Sequence, residues 1–345
     1  MQAALLTALR RFEIRQVPDP ILVNHTDVLI RVATVGVCGS DIHYFTGGRI
    51  GSQVVQFPFI IGHEASGVVE AAGSSVTRVR PGQRIAIDPA RSCGHCDQCR
   101  AGRENTCRNL LFLGCPGQLS GCLCEYVVLD ERCCHPIEDG MTFEQATLSE
   151  PLAIALYAVE RSRPTAEAKV AILGMGPIGM SVLHALRATT QGHIFVTDQI
   201  DARLKHAQTL CPTWCGNPRL QDIAAEIRER EPLLLDIVYE CSGSEEVIVQ
   251  SASLLKPGGR LVLIGIPEAD SVGFPVHELR RNEISITNIR RQANCTANAI
   301  AALQRGRINL DALVTHRFGL TETQEAFELV ANYRDGVMKA MISVS

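Results

Sequence analysis

The sequence predicts an α/β protein made of a β-rich domain and a second domain with a doubly wound parallel sheet. Two textures and one glycine motif carry that prediction. Up to about Gly140 the chain is a series of short β-patterned runs separated by Gly or Pro turns, among them ASGVVEAAG, PGQRIAI and CEYVVLD. That is the pattern of a barrel or sandwich. From Lys169 onward apolar strands alternate with helical segments, as in a parallel sheet. The motif GMGPIG, Gly174 to Gly179, directly follows the apolar strand KVAIL.

Taken in order, residues 27–35 (DVLIRVATV) carry β-branched side chains on both parities, so this strand is buried on both faces. Glu150-Pro151 is predicted to open the apolar helix PLAIALYAVERS, with Pro at the first helical position, where its missing N–H costs nothing. Then come KVAILG, a helix from about Pro177, HIFVTD, the helix ARLKHAQTL, LLLDIVYEC, a helix near 245–255, and LVLIGI. After ISITNIRRQ follow the helix NAIAALQRGR and a terminal strand, KAMISVS. The predicted domains are 1–150, 151–287 and 288–345, the last returning to complete the first.

At 345 residues the chain is long enough for two cores. Net charge of −4 with interspersed signs offers no basic patch, so no nucleic-acid partner is expected. No apolar run is long enough for a bilayer and the first residues do not read as a signal peptide, so a cytoplasmic location without a membrane partner is expected. Of fourteen cysteines, nine lie between Cys93 and Cys134. In a reducing compartment such crowding indicates metal ligands or small buried groups rather than disulfides.

Four motifs carry chemistry. In GMGPIG, Gly174 makes the tight turn, Gly176 lets the backbone approach a pyrophosphate, and Gly179 allows close helix–strand packing. The helix N-terminus that follows favours the anion. Asp198 ends the next strand, where an acidic residue accepts ribose hydroxyls and repels a 2′-phosphate; NAD is therefore preferred to NADP, although Arg203 lies nearby. Cys93-x2-Cys96-x2-Cys99-x7-Cys107 places four thiolates on a polar loop, which suits a closed structural zinc site. His95 inside that loop faces a full ligand set.

The stretch Gly36–Glu64 brings Cys38 together with the adjacent pair His63-Glu64. Thiolate, imidazole and carboxylate with an open fourth position are the donors of a catalytic zinc; the alternative is a buried cysteine and a surface dipeptide. Ser40 and His43 follow Cys38 as candidate proton-relay groups, and Tyr44 is either a substrate contact or core. Glu150 is either an N-terminal helix cap or a group beside the metal. CLCEYVVLDERCCH reads as two strands and a turn rather than a third metal site.

In combination, GVCGSDIHYFTGGRIG, GHEASGVV, PGQRIAIDP, SEPLA, GMGPIGM, VTD, ECSG and LVTHRF resemble the zinc-dependent medium-chain alcohol dehydrogenases, and among them most the sorbitol (L-iditol) 2-dehydrogenase branch. The resemblance spans essentially the whole chain. It implies a GroES-like barrel completed by the C-terminal segment, with a Rossmann domain between. It also implies two zinc ions, one catalytic on Cys38, His63 and Glu64, and one structural on Cys93, Cys96, Cys99 and Cys107. Glu150 would lie beside the catalytic metal's water or exchange with it as a ligand.

The cofactor positions implied are Gly174, Gly176, Pro177, Ile178, Gly179, Asp198, Arg203, Ile264, Gly265, Ile266, Asn288, Ile289 and Arg290. Those for substrate are Tyr44, Glu150 and Arg290. Arg291 departs from the branch, which has tyrosine there; a second arginine would suit an acidic sugar. The expected reaction is oxidation of a secondary alcohol of a polyol or sugar derivative to a ketone, with hydride transfer to NAD. A homotetramer is expected from the resemblance alone. A non-catalytic zinc- and nucleotide-binding protein on this fold is the alternative, and its signature would be a damaged triad.

Overall fold

The computed structural model describes residues 1–344, which divide into two compact units. One comprises Met1–Glu150 together with the segment from Ala293 onward; the other is Pro151–Gln292.

The first unit is built on a seven-stranded sheet. Its path runs Cys134–Pro136, Arg84–Ile87, Glu64–Ala72, Asp27–Gly36, Lys339–Ser343 and Val314–Gly319, and Tyr126–Asp130 also pairs with Asp27–Gly36. Asp27–Gly36 lies inside the sheet and is buried on both parities, as its β-branched pattern predicts. Its register sets Gly36 opposite Glu64 on one side and Met341 on the other. The C-terminal strand thus belongs to the first unit because it adds antiparallel to this strand.

A hairpin of Gln2–Ala8 and Arg11–Gln16 packs alongside. Phe12 from that hairpin, Phe45 from helix Gly39–Gly47 and Phe327 from helix Thr323–Ala331 form a ring cluster with centroids 4.7–5.5 Å apart. This cluster anchors the helix that carries Ser40, His43 and Tyr44. The strands Tyr126–Asp130 and Cys134–Pro136, joined by a short 3₁₀ turn, match the bland reading of the Cys122–His135 run.

The helix around Pro151 differs from expectation. It runs Phe143–Ser162, with Pro151 inside it. Its start is set by Thr142 and Gln145: each backbone N–H donates to the other's side chain, at 2.9 and 3.1 Å. That reciprocal cap starts the helix upstream, and the interior proline forgoes one intrahelical bond. Glu150 is therefore not a helix cap, and the dipole argument for its charge does not apply.

The second unit is a six-stranded, all-parallel sheet in the order Trp214–Gly216, Ile194–Thr197, Val170–Leu173, Leu235–Glu240, Leu255–Leu263, Ser285–Asn288. Numbered along the chain, that is 3-2-1-4-5-6, the doubly wound dinucleotide-binding order. Ser285–Asn288 pairs with Leu255–Leu263 as the outermost strand. A boundary at 287 would cut it, so the second unit extends to Gln292. Among the described residues no helix is long and apolar enough to cross a membrane.

Candidate active site and metal centres

The four loop cysteines converge. Their ligand atoms all lie within 4.8 Å of one another, with Sγ–Sγ separations of 3.5 Å for Cys96–Cys99 and 3.9 Å for Cys93–Cys99 and Cys96–Cys107. A tetrahedron with Zn–S bonds of about 2.3 Å has edges of about 3.8 Å, so the cluster fits a zinc ion. All fourteen cysteines are free thiols. Backbone N–H groups of Cys93 and Asn109 donate to Cys107 Sγ at 3.2 and 3.4 Å. Backbone hydrogen bonding, from His95 first, brings the Cys93 thiol down to about 6, while burial pushes Cys99 up to about 12. Cys93 is thus readily available as a thiolate, the form that binds metal.

The second donor group is Cys38, His63 and Glu64, again within 4.8 Å. Cys38 precedes helix Gly39–Gly47, and Glu64 opens strand Glu64–Ala72. Gly36 is required where it is: a Cβ there would overlap the Glu64 carboxylate. His63 is 6% and Glu64 1% exposed. His63 Nδ1 pairs with Asp41 Oδ1 at 3.2 Å, which leaves Nε2 for a metal, and Asp41 also accepts the Gly62 N–H at 3.3 Å. Such a carboxylate behind a ligating imidazole fixes its orientation.

Glu64 accepts from Lys339 Nζ with both oxygens, at 2.9 and 2.7 Å, and the same ammonium donates to the Val37 carbonyl. Burial alone would lower the pKa of both His63 and Lys339. The charges of Asp41 and Cys38 on His63, and of Glu64 and Cys38 on Lys339, outweigh it and raise both. Two buried carboxylates, Asp41 and Glu64, and the Cys38 thiol thus surround His63 and Lys339.

Glu150 lies outside this donor group, so the structure does not assemble it as a fourth direct ligand. It is 6% exposed, its Oε2 is buried without a hydrogen-bond partner, and burial raises its pKa to about 7, against the opposing influence of His63. Ser40 Oγ donates to Cys38 Sγ at 3.4 Å. Ser40, His43 and Tyr44 stand at i, i+3 and i+4 of one helix and share a face. The Tyr44 hydroxyl donates to Gln53 Oε1 at 3.3 Å and lies 3.8 Å from Cys115 Sγ.

In the second unit, Gly174 (φ 100°) ends strand 1 and Pro177 opens helix Pro177–Arg187 with Gly176 as N-cap. A Cβ on Gly179 would overlap the Gly174 carbonyl, the close packing the motif predicts. Asp198 Oδ2 accepts the Met175 N–H at 2.7 Å and Oδ1 the Ile200 N–H at 2.8 Å, with Arg203 3.8 Å away. Ile264–Ile266 follow strand 5, and Asn288 ends strand 6 with Ile289 and Arg290 after it, at the C-terminal ends of two parallel neighbours. Arg290 is exposed; Arg291 is half-buried with a left-handed backbone (φ 54°).

Asp41 and Lys339 are functional neighbours that the sequence reading missed. The signals were present: Asp41 sits three residues after Cys38, on the same helix as Ser40, and Lys339 is a lone charge beside the apolar run AMI, where a buried lysine requires a partner.

Residues 24–139 match the alcohol dehydrogenase GroES-like domain and residues 177–305 the zinc-binding dehydrogenase domain. The chain is 35% identical to a sorbitol dehydrogenase of Bacillus subtilis (strain 168), covering 99% of this chain and 97% of that protein. It is 35% identical to an L-arabinitol 4-dehydrogenase of Aureobasidium melanogenum, covering 92% and 87%. Among solved structures, an Escherichia coli oxidoreductase/dehydrogenase of unknown specificity superposes with a TM-score of 0.93 at 31% identity, covering 100% and 99%. With identity sustained along the chain, a matching fold and both donor groups assembled, the protein belongs to the zinc-dependent medium-chain alcohol dehydrogenase family.

Proposed function

We propose that the protein oxidises a secondary alcohol of a polyol or related sugar derivative to a ketone, passing hydride to NAD. The observation that carries this reading is the convergence of half-buried Cys38 with buried His63 and Glu64, with the protonatable Glu150 outside the group. Zinc bound there would supply Lewis-acid polarisation of the substrate hydroxyl and lower its pKa. Cys38, His63 and Glu64 would hold the metal, and Asp41 keeps His63 Nδ1 engaged, which leaves Nε2 available to it. Glu150 receives the hydroxyl proton at its unpartnered Oε2. Ser40, with His43 on the same helix face, is a second route for that proton. Tyr44 and Glu150 bind the substrate's remaining groups.

The second unit receives NAD, with the pyrophosphate at Gly174–Gly179. Asp198 is held in place by two backbone N–H groups and would take the ribose hydroxyls there, its charge disfavouring a 2′-phosphate. Fourteen free thiols suit a reducing cytoplasm. A homo-oligomer, a tetramer as in the resembled branch, accords with the exposed edge strand Ser285–Asn288, where Ile286 is 37% exposed.

NAD reduction followed over a panel of polyols and sugar acids tests the reading. Turnover is expected with polyols that carry a secondary alcohol next to a primary one; no turnover with any polyol or sugar acid would overturn it. Turnover confined to sugar acids would assign Arg291 the choice of substrate.

A further inference from the structure

The ECSG motif, Glu240 to Gly243, has no part in the site described so far. Glu240 ends strand 4 of the parallel sheet and is 0% exposed. Its Oε1 accepts the backbone N–H of Ser242 at 2.7 Å and of Gly243 at 2.9 Å, and the Ser242 hydroxyl as well. Its backbone carbonyl accepts the N–H of Ile264 at 2.9 Å and of Gly265 at 3.0 Å. One residue therefore ties its own loop to the segment after strand 5.

The loops it joins are in close contact. A Cβ on Gly265 would sit 2.6 Å from Glu240 Oε2, and a Cβ on Gly243 would lie 2.5 Å from the Ile266 carbonyl. A Cβ on Gly174, in the glycine-rich turn, would lie 2.9 Å from Ser242 N. Glu240 Oε2 is buried and has no hydrogen-bond partner, an arrangement that is unfavourable for a polar atom. Burial raises the carboxyl pKa against the hydrogen bonds at Oε1. A turn needing only a cap could be served by Asp, Asn or Ser without that cost.

The position in the sheet says which part of the cofactor is affected. The pyrophosphate belongs at the turn after strand 1, and Asp198 after strand 2 takes the adenosine ribose. Strands 4 and 5 lie on the other side of strand 1, so the loops after them face the nicotinamide half.

We infer that Glu240 is a positioning residue for the dinucleotide, holding the turn Cys241–Ser244 and the segment Ile264–Ile266 in register so that they shape the nicotinamide half of the site. The inference rests on the NAD reading above. Its test is titration of the full-length protein and of E240A, E240Q and S242A with NADH and, separately, with AMP.

In E240A the Kd for NADH is expected to rise about tenfold or more while that for AMP stays within about twofold. E240Q keeps an acceptor at Oε1 and is expected to retain most of the NADH affinity. S242A removes one of the bonds and gives a smaller rise, and it serves as the test if E240A does not fold. Unchanged NADH affinity in the folded variants, or an equal loss for NADH and AMP, would overturn the inference. Wild-type protein that bound AMP but not NADH would overturn the NAD reading itself, and the inference with it.

Discussion

The two donor groups of the first unit differ in how the chain builds them. Cys93, Cys96, Cys99 and Cys107 come from one polar loop and need little from the rest of the fold. Cys38 and the pair His63-Glu64 come from separate segments, bury the imidazole and the carboxylate, and engage Asp41 on the helix after Cys38 and Lys339 on the C-terminal strand. Four thiolates close a tetrahedron. In the proposed reaction the trio leaves a position for substrate, and Glu150 handles its proton. On that proposal the contrast separates a site that holds a loop together from one that performs chemistry.

The largest expected effect that sharpens this contrast comes from His63→Ala. It removes a donor from the trio only, so alcohol oxidation should fall by about three orders of magnitude or more while NADH titration gives an affinity near wild type. Retained turnover would contradict the assignment of the reactive metal to the trio.

Next comes Lys339→Met, which leaves the Glu64 carboxylate buried without its cation. Breaking one side of a buried pair costs about 3–5 kcal/mol, so the metal-free variant should melt well below metal-free wild type. Because a bound cation would replace the lost charge, adding zinc should narrow the gap. An equal gap with and without zinc would show that Lys339 acts independently of the metal.

The smallest effect lies in the second unit, on helix Pro177–Arg187. Burial lowers the His184 pKa from 6.5 to about 4, with His206 adding to it. The unfolded chain takes up this proton below about 6.5 and the folded chain only below about 4, so the associated stability is lost as pH falls across that window. His184→Asn should shrink the drop in melting temperature between pH 7 and pH 5. An unchanged drop would remove His184 from the account.

What the sequence disclosed was what is local along the chain. The strand 27–35, the turn GMGPIG and the four-cysteine spacing each carry their signal within a short window, and each appears where it was expected. The hairpin Gln2–Ala8 and Arg11–Gln16 went unseen because its turn places Arg10, not Gly or Asn, at φ 57°. The helix start was misplaced because Pro151 is a stronger sequence signal than the Thr142–Gln145 cap. Asp41 meets His63 across 22 residues and Lys339 meets Glu64 across 275. The first is made by the helix after Cys38 and the second by the register of three neighbouring strands, so the sequence marks the residues but not their partners. Glu240 was quoted as part of a motif, yet its role depends on loops that meet only in the folded sheet.

Zinc counted by elemental mass spectrometry, in wild type, His63→Ala and Cys107→Ser, tests the central claim most directly. The account predicts about two ions per wild-type chain and about one in each variant, with polyol-dependent NAD reduction lost in His63→Ala although that chain still holds its zinc in the four-cysteine loop. One ion in wild type, unaffected by His63→Ala, would contradict it.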